Sequence, residues 1–256
     1  LVSSSAASDV YKRQHLQIVE DAVDVARAAS QHVCAQVRER SDAVLGLATG
    51  STPEATYAEL VQLYRERALS FARVRSVNLD EYCDLDGAHE QSYRHYMQTH
   101  LFDWVDIRPW NTLVPDGLAA DREAECRAYE ERIRALGGVD LWLLGIGSNG
   151  HIAFNEPGSS CDSRTRCVQL SAETIADNSR LFAASTEVPR RAFTVGVGTI
   201  LEARRVLLLA TGAHKARAVA AALQGDPGTH CPASFLREHA HCTFVIDRPA
   251  ASMLES

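Results

Sequence analysis

The chain has 256 residues, of which 46% are hydrophobic and 23% charged, and a formal net charge of −7. That length permits one large domain or two small ones with a substantial core, in a composition ordinary for a folded protein. The negative balance disfavours a nucleic-acid or anionic-membrane surface while leaving room for a local basic pocket, and no stretch approaches the apolar length of a membrane span.

The opening stretch LVSSSAASDVYKRQ lacks the apolar core of a signal peptide and has no helical or strand period. Residues 1–15 therefore read as a leader outside the fold, leaving 16–256 as one domain. From Ile18 the apolar residues Val19, Ala22, Val23, Ala26, Ala29, Val33 and Val37 recur at helical spacing. A short apolar strand over 43–48 follows and ends in Thr49, Gly50, Ser51, Thr52 and Pro53. Hydroxyls, a glycine and the free N–H groups of a helix start make an anion cradle, and without a G-x-x-x-x-G-K-[ST] motif a small phosphomonoester fits it better than a nucleotide; an ordinary capped helix start is the other reading.

Residues 74–79 form the next strand, which stops at Asp80, Glu81 and Tyr82. Two adjacent acids at a strand end face opposite ways, so one suits a general base and the other a structural partner, unless both lie in a solvated loop. A helix is expected over 93–102, an irregular connection over 110–115, and a strong helix over 121–136, ended by Gly137 and Gly138.

That helix feeds LWLLGIGSNGHIAFNEP at 141–157, around which the chain is organised. Leu141 to Leu144 read as a buried strand, the glycines 145, 147 and 150 as a tight loop, and His151, Asn155 and Glu156 as polar groups gathered at the carboxyl end of a sheet, where open α/β folds bind ligands. A sheet edge turning into solvent is the plainer alternative. The letters also satisfy G-x-G-x-x-G, but Pro157 and Gly158 interrupt any long helix and Glu156 comes too early for a ribose contact, so a dinucleotide is not expected.

Beyond the loop, 159–190 is a candidate lid, with an ordinary surface excursion equally consistent; it holds a helix over 174–182 that carries Arg180. Strands are expected over 193–197, 206–210 and 243–246, and Thr211 to Lys215 repeats the cradle layout with a lysine. His230, Cys231, His239, His241 and Cys242 lack the spacing of a metal site. Seven cysteines without a C-x-x-C pair imply neither a disulfide framework nor a zinc knuckle, so a reducing cytoplasm is the simplest compartment. The alternation of strands and helices predicts an α/β fold: a three-layer, doubly wound, mostly parallel sheet with helices on both faces.

Four segments, LGLATGSTPEATY (45–57), VNLDEY (77–82), LGIGSNGHIAFNEPGSS (144–160) and SRTR (163–166), resemble the glucosamine-6-phosphate deaminases, and the resemblance runs from about residue 16 to 253. The GHIAFNEP segment is specific, whereas the threonine and glycine loop is shared with 6-phosphogluconolactonases. The resemblance implies conversion of glucosamine 6-phosphate and water to fructose 6-phosphate and ammonia, without metal or organic cofactor. It further implies Asp80 as the base between C2 and C1, His151 as the ring-opening residue with Asn149 and Glu156 as its relay, and Gly50, Ser51, Thr52, Arg180 and Lys215 around the phosphate. Sugar phosphates are then the only partners expected, with no nucleic acid and no membrane. The alternatives are a lactonase of the same fold and a sugar-phosphate-binding regulator.

Two positions depart from the allosteric hexameric branch of that family. Asn149 stands where many members have aspartate, and Val168 where that branch has an effector-binding lysine, although Arg166 is kept. Asn149 can still accept from the histidine N–H, and the lost cation predicts little activation by N-acetylglucosamine 6-phosphate. Together they tilt the expectation toward a monomer or small homo-oligomer, with a hexamer not excluded.

Overall fold

Seven parallel strands make the central sheet of the computed structural model, which describes residues 14–179, 182 and 188–255. The first half of the chain runs β1 (Gln14–Val19), α1 (Ala22–Glu39), β2 (Val44–Leu47), α2 (Ser51–Arg65), β3 (Arg75–Asn78), β4 (Asp80–Tyr82), α3 (Tyr93–His100), β5 (Thr112–Leu113) and α4 (Arg122–Ala135). The second runs β6 (Leu141–Gly145), β7 (Arg166–Gln169), α5 (Ala172–Ser179), β8 (Arg191–Thr194), α6 (Val197–Leu201), β9 (Arg205–Ala210), α7 (Ala216–Gln224) and β10 (Cys242–Asp247). No helix among the described residues is long and apolar enough to cross a membrane.

Strand order in the large sheet is β1-β10-β9-β6-β2-β3-β5. The chain builds outward from β2 to β5, then returns beside β2 as β6 and builds the other way, which puts the topological switch between β2 and β6. The apolar runs of these strands are continuous because both faces are covered. On β6, Leu141 and Leu143 pack with residues of α1, α2 and α3, while Trp142 and Leu144 pack with residues of α4, α6 and α7. A doubly wound α/β fold is what the sequence predicts.

Buried polar atoms fix the register at the switch. The Asp140 carboxylate is only 1% exposed, yet it accepts from the Val44 N–H at 2.7 Å and from Arg40 and Arg204 at 3.0 Å each. Above this latch Gly46 pairs with Trp142, and the indole ring occupies the space a side chain at 46 would need. A Cβ there would lie 1.7 Å from Cε3 of Trp142. Gly46→Ala is therefore expected to destabilise the protein by about 3 kcal/mol or more, the upper range for overpacking; a urea midpoint unchanged from wild type would show that the ring can move aside.

Three sequence expectations need correction. The first helix begins at Ala22, not Ile18, because Asp21 caps it by accepting from the N–H groups of Val23 and Asp24. Gln14 to Val19 instead form an edge strand parallel to β10, so the fold takes in positions 14 and 15 of the expected leader. The strand expected over 193–197 is shifted to Arg191–Thr194 and lies in a second, three-stranded antiparallel sheet, β4-β8-β7, which the sequence pattern does not predict. Its strands have three or four residues, too few for a period-2 pattern to stand out.

Candidate functional site

The carboxyl ends of β2, β3 and β6 open into a cleft of about 640 Å³ at the switch point. Thr49 to Thr52, Leu79, Asp80, Gly145 to Ser148, His151 and Lys215 all contribute to its walls, and α3 adds His95, Tyr96, Thr99 and His100. A depression of about 450 Å³ beside Arg65 and Asp106 shares none of these residues, and its Asp106 carboxylate is already engaged by Ser70 and the Phe71 N–H.

Asp80 and Glu81 divide as two acids at a strand end must. Glu81 turns inward, where it accepts from the N–H groups of Tyr82, Tyr93 and Arg94 at 2.8–2.9 Å. It thereby holds the first turn of α3, whose Ser92 cap serves His95. Burial raises the Glu81 carboxyl above the ordinary glutamate range, a rise that those N–H donors offset only in part. Asp80 faces the cleft, is 6% exposed, and has an Oδ1 with no hydrogen-bond partner among the described residues. Desolvation, followed by the neighbouring Glu81 charge, pushes its carboxyl up to about 8.

Across the cleft, His151 is held by the loop that follows β6. The Asn149 amide donates to Glu156 Oε2 at 2.8 Å, and its Oδ1 accepts from the His151 backbone N–H at 3.1 Å. A carboxylate only accepts and an N–H only donates, so these two contacts fix which way the amide points. The His151 Nδ1, 2.8 Å from the same Oδ1, must then carry the proton, leaving Nε2 as the basic nitrogen. Glu156 Oε2 lies 3.5 Å from Nδ1, an electrostatic contact rather than a hydrogen bond. Burial raises the Glu156 carboxyl, but His151, Thr174 and Asn149 outweigh it and hold the group at about 2. The ring can sit here because position 147 is glycine: a Cβ would come within 2.2 Å of His151 Cε1.

At the end of β2, Gly50 precedes the first turn of α2, and Tyr96 Oη donates to its carbonyl at 2.7 Å. Ser51 and Thr52 open the helix toward the cleft with no side chain among the described residues capping it, so its N-terminal N–H groups face the space that Lys215 also lines. Asp80, His151, Gly50, Ser51, Thr52 and Lys215 are thus brought to one cavity, with Asn149 and Glu156 behind the imidazole. Arg180 lies outside the described residues, as do 181 and 183–187 of the expected lid.

Asn155, expected with His151 and Glu156 at the carboxyl edge, is placed differently. The 152–154 segment is a turn closed by an Ile152–Asn155 bridge, and Asn155 is fully buried, donating to the Ile152 and Val195 carbonyls and accepting from Arg166. Asn155 thus supports the loop without facing the cleft. His239 is likewise engaged at both ring nitrogens, by the Ala203 carbonyl and the His241 N–H. The aromatic side of the cleft, Tyr82, Tyr93, Phe154 and Phe182, and Thr174 beside it leave no signal in the sequence, because their convergence depends on the small sheet and on α5.

Residues 19–245 match the family model described as glucosamine-6-phosphate isomerases/6-phosphogluconolactonase. The chain is 49% identical to glucosamine-6-phosphate deaminase 1 of Giardia intestinalis, over 93% of this chain and 90% of that one. Its structure superposes on a monomeric glucosamine-6-phosphate deaminase with a TM-score of 0.91 at 44% identity, covering 93% of this chain and 99% of the other. The 6-phosphogluconolactonase of Trypanosoma brucei shares the fold, with a TM-score of 0.75 at 23% identity over 94% of this chain and 99% of that one. With the cleft at the same switch point that the doubly wound sheet dictates, the chain belongs to the glucosamine-6-phosphate isomerase/6-phosphogluconolactonase family.

Proposed function

We propose that the chain is a glucosamine-6-phosphate deaminase, converting glucosamine 6-phosphate and water to fructose 6-phosphate and ammonia. The observation that carries this reading is the placement of two different proton-handling groups on one cleft: a buried carboxyl at Asp80 and a Glu156-linked imidazole of fixed tautomer at His151. Ring opening requires a proton removed from the C1 hydroxyl and one delivered to the ring oxygen. The basic Nε2 of His151 suits that shuttle, with Asn149 orienting the ring and Glu156 stabilising the imidazolium formed in transit. Asp80 then takes the C2 proton and returns it to C1, and water releases ammonia from the resulting C2 imine.

At the far end, the N–H groups and hydroxyls of Gly50, Ser51 and Thr52, with Lys215, are the phosphate cradle in this proposal, to which the family resemblance adds Arg180. Lys215→Ala is expected to raise KM about tenfold or more with a smaller effect on kcat, since a charge-assisted contact is worth about 1.5–3 kcal/mol. Steady-state rates would refute the assignment if KM stayed at the wild-type value.

A lactonase of the same fold is the competing reading. Hydrolysing a lactone requires no base over C2, which would leave the buried Asp80 carboxyl without a task. Ammonia release from glucosamine 6-phosphate, measured beside hydrolysis of 6-phosphogluconolactone, separates the two; turnover of the lactone alone would overturn the deaminase reading. We place the enzyme in the cytoplasm as a monomer or small homo-oligomer; the related monomeric deaminase supports the monomer. Val168, packed against the Tyr82 and Phe154 cluster, supports the absence of activation by N-acetylglucosamine 6-phosphate.

A further inference from the structure

The two oxygens of Glu156 are used differently. Oε2 faces Asn149 and His151, whereas Oε1 accepts from the Thr174 hydroxyl at 2.7 Å. Thr174 lies on α5, three residues after Ser171, and lines the cleft with only 9% of its surface exposed. Ser171 accepts from the Thr174 N–H at 3.1 Å, as a helix cap does, and its own hydroxyl donates to Thr174 Oγ1 at 2.9 Å. The donors therefore converge on the carboxylate: the Thr174 hydroxyl on Oε1, with the Ser171 hydroxyl behind it and 3.5 Å from the same oxygen, and the Asn149 amide that orients His151 on Oε2. A hydroxyl facing a carboxylate can only donate to it.

We infer that Thr174 is a positioning residue, whose hydroxyl holds the Glu156 carboxylate in the orientation and ionisation that the His151 ring-opening relay requires. The inference rests on the deaminase reading given above. Thr174 reaches the chemistry through Glu156, so its methyl group is dispensable and its hydroxyl is not. Without that donor, Glu156 keeps Asn149 but loses a hydrogen bond to its charged form, and its carboxyl rises toward the ordinary glutamate range. The carboxylate is also free to rotate away from the imidazole.

Thr174→Val, which keeps the shape and removes the hydroxyl, is expected to lower kcat about tenfold with KM within about twofold, the pattern of an interaction needed in the transition state. Thr174→Ser should restore kcat to within about twofold of wild type, and in a Glu156→Gln background the Thr174→Val effect should shrink to less than about twofold, since coupled residues are not additive. Full activity in Thr174→Val, failure of Thr174→Ser to rescue, or an undiminished effect in the Glu156→Gln background would each overturn the inference. A readout independent of turnover keeps it separable from the deaminase reading. The Glu156 carboxyl carbon, followed by NMR and assigned with Glu156→Gln, should stay close to its carboxylate position down to about pH 3 in wild type and begin to titrate about a unit higher in Thr174→Val. Identical titrations would sink the inference whether or not the wild-type protein releases ammonia.

Discussion

Asp80→Asn is expected to lower kcat about 10²-fold or more while KM stays within a few-fold, the signature of a lost general base. The change keeps the size of the side chain and leaves the phosphate cradle untouched. Glu81→Gln should retain far more turnover, because Glu81 is committed to the N–H groups that begin α3. Exchange of the C2 proton with solvent, followed together with ammonia release on both variants, is the deciding measurement: normal exchange in Asp80→Asn, or exchange abolished only in Glu81→Gln, would reverse the assignment. In the wild type the base must be ionised, so kcat/KM should rise with pH and level off above the Asp80 value of about 8. The same shift has a thermodynamic side with the opposite sense. Because the folded-state value lies above the ordinary 3.8, the folded protein binds more protons than the unfolded chain between 3.8 and about 8, and stability contributed at this site falls as pH rises through that window. In Asp80→Asn that slope should vanish, and the variant should be more stable than wild type at pH 8 while far less active. Urea titrations at pH 5 and pH 8 on both proteins would show it.

Gly147→Ala should cost activity on a similar scale through a different mechanism. The added methyl carbon would sit 2.2–2.4 Å from three atoms of the His151 ring, closer than non-bonded atoms approach. Nothing in the backbone forbids alanine there, since Gly147 is not among the glycines held at positive φ. The cost therefore falls on the imidazole, which must leave the position fixed by Asn149. Misplacing a proton-transfer group by about 1 Å is enough for a loss of about 10²-fold. Because the collision is with a side chain at the cleft wall, the melting temperature should fall by only a few degrees. A variant with wild-type kcat and an intact melting curve would mean that the relay tolerates another ring position.

Several residues proposed for the site could be located in the sequence because they sit at a break in a strand pattern. Asp80 ends the run from 74 to 79, His151 follows the glycines after 141–144, and the hydroxyls at 51 and 52 follow the apolar run from 43 to 48. In a sheet buried on both faces, the polar residue that ends an apolar run marks the carboxyl edge, so strand periodicity locates the site almost directly. What could not be read depends on contacts across the chain. Thr174 meets Glu156 only because α5 returns over the loop, and the wall formed by Tyr82 and Phe154 needs the three-stranded sheet, whose strands are too short to register. The first strand was hidden for another reason. Ile18 and Val19 fall in phase with the helix that follows, and only the Asp21 cap separates the two elements.

The latch at Asp140 has a consequence for how the chain reaches this state. Its carboxylate bonds to an amide 96 residues earlier, and the cleft above it draws on β2 and β3 from one half of the chain and on β6, its loop and Lys215 from the other. Neither half holds both Asp80 and His151. The helices within each half are local and form quickly, whereas pairing β2 with β6 closes a long loop and is slow. During refolding from urea, far-UV circular dichroism should therefore recover ahead of enzymatic activity, and the interval between them times the docking of the two halves of the sheet.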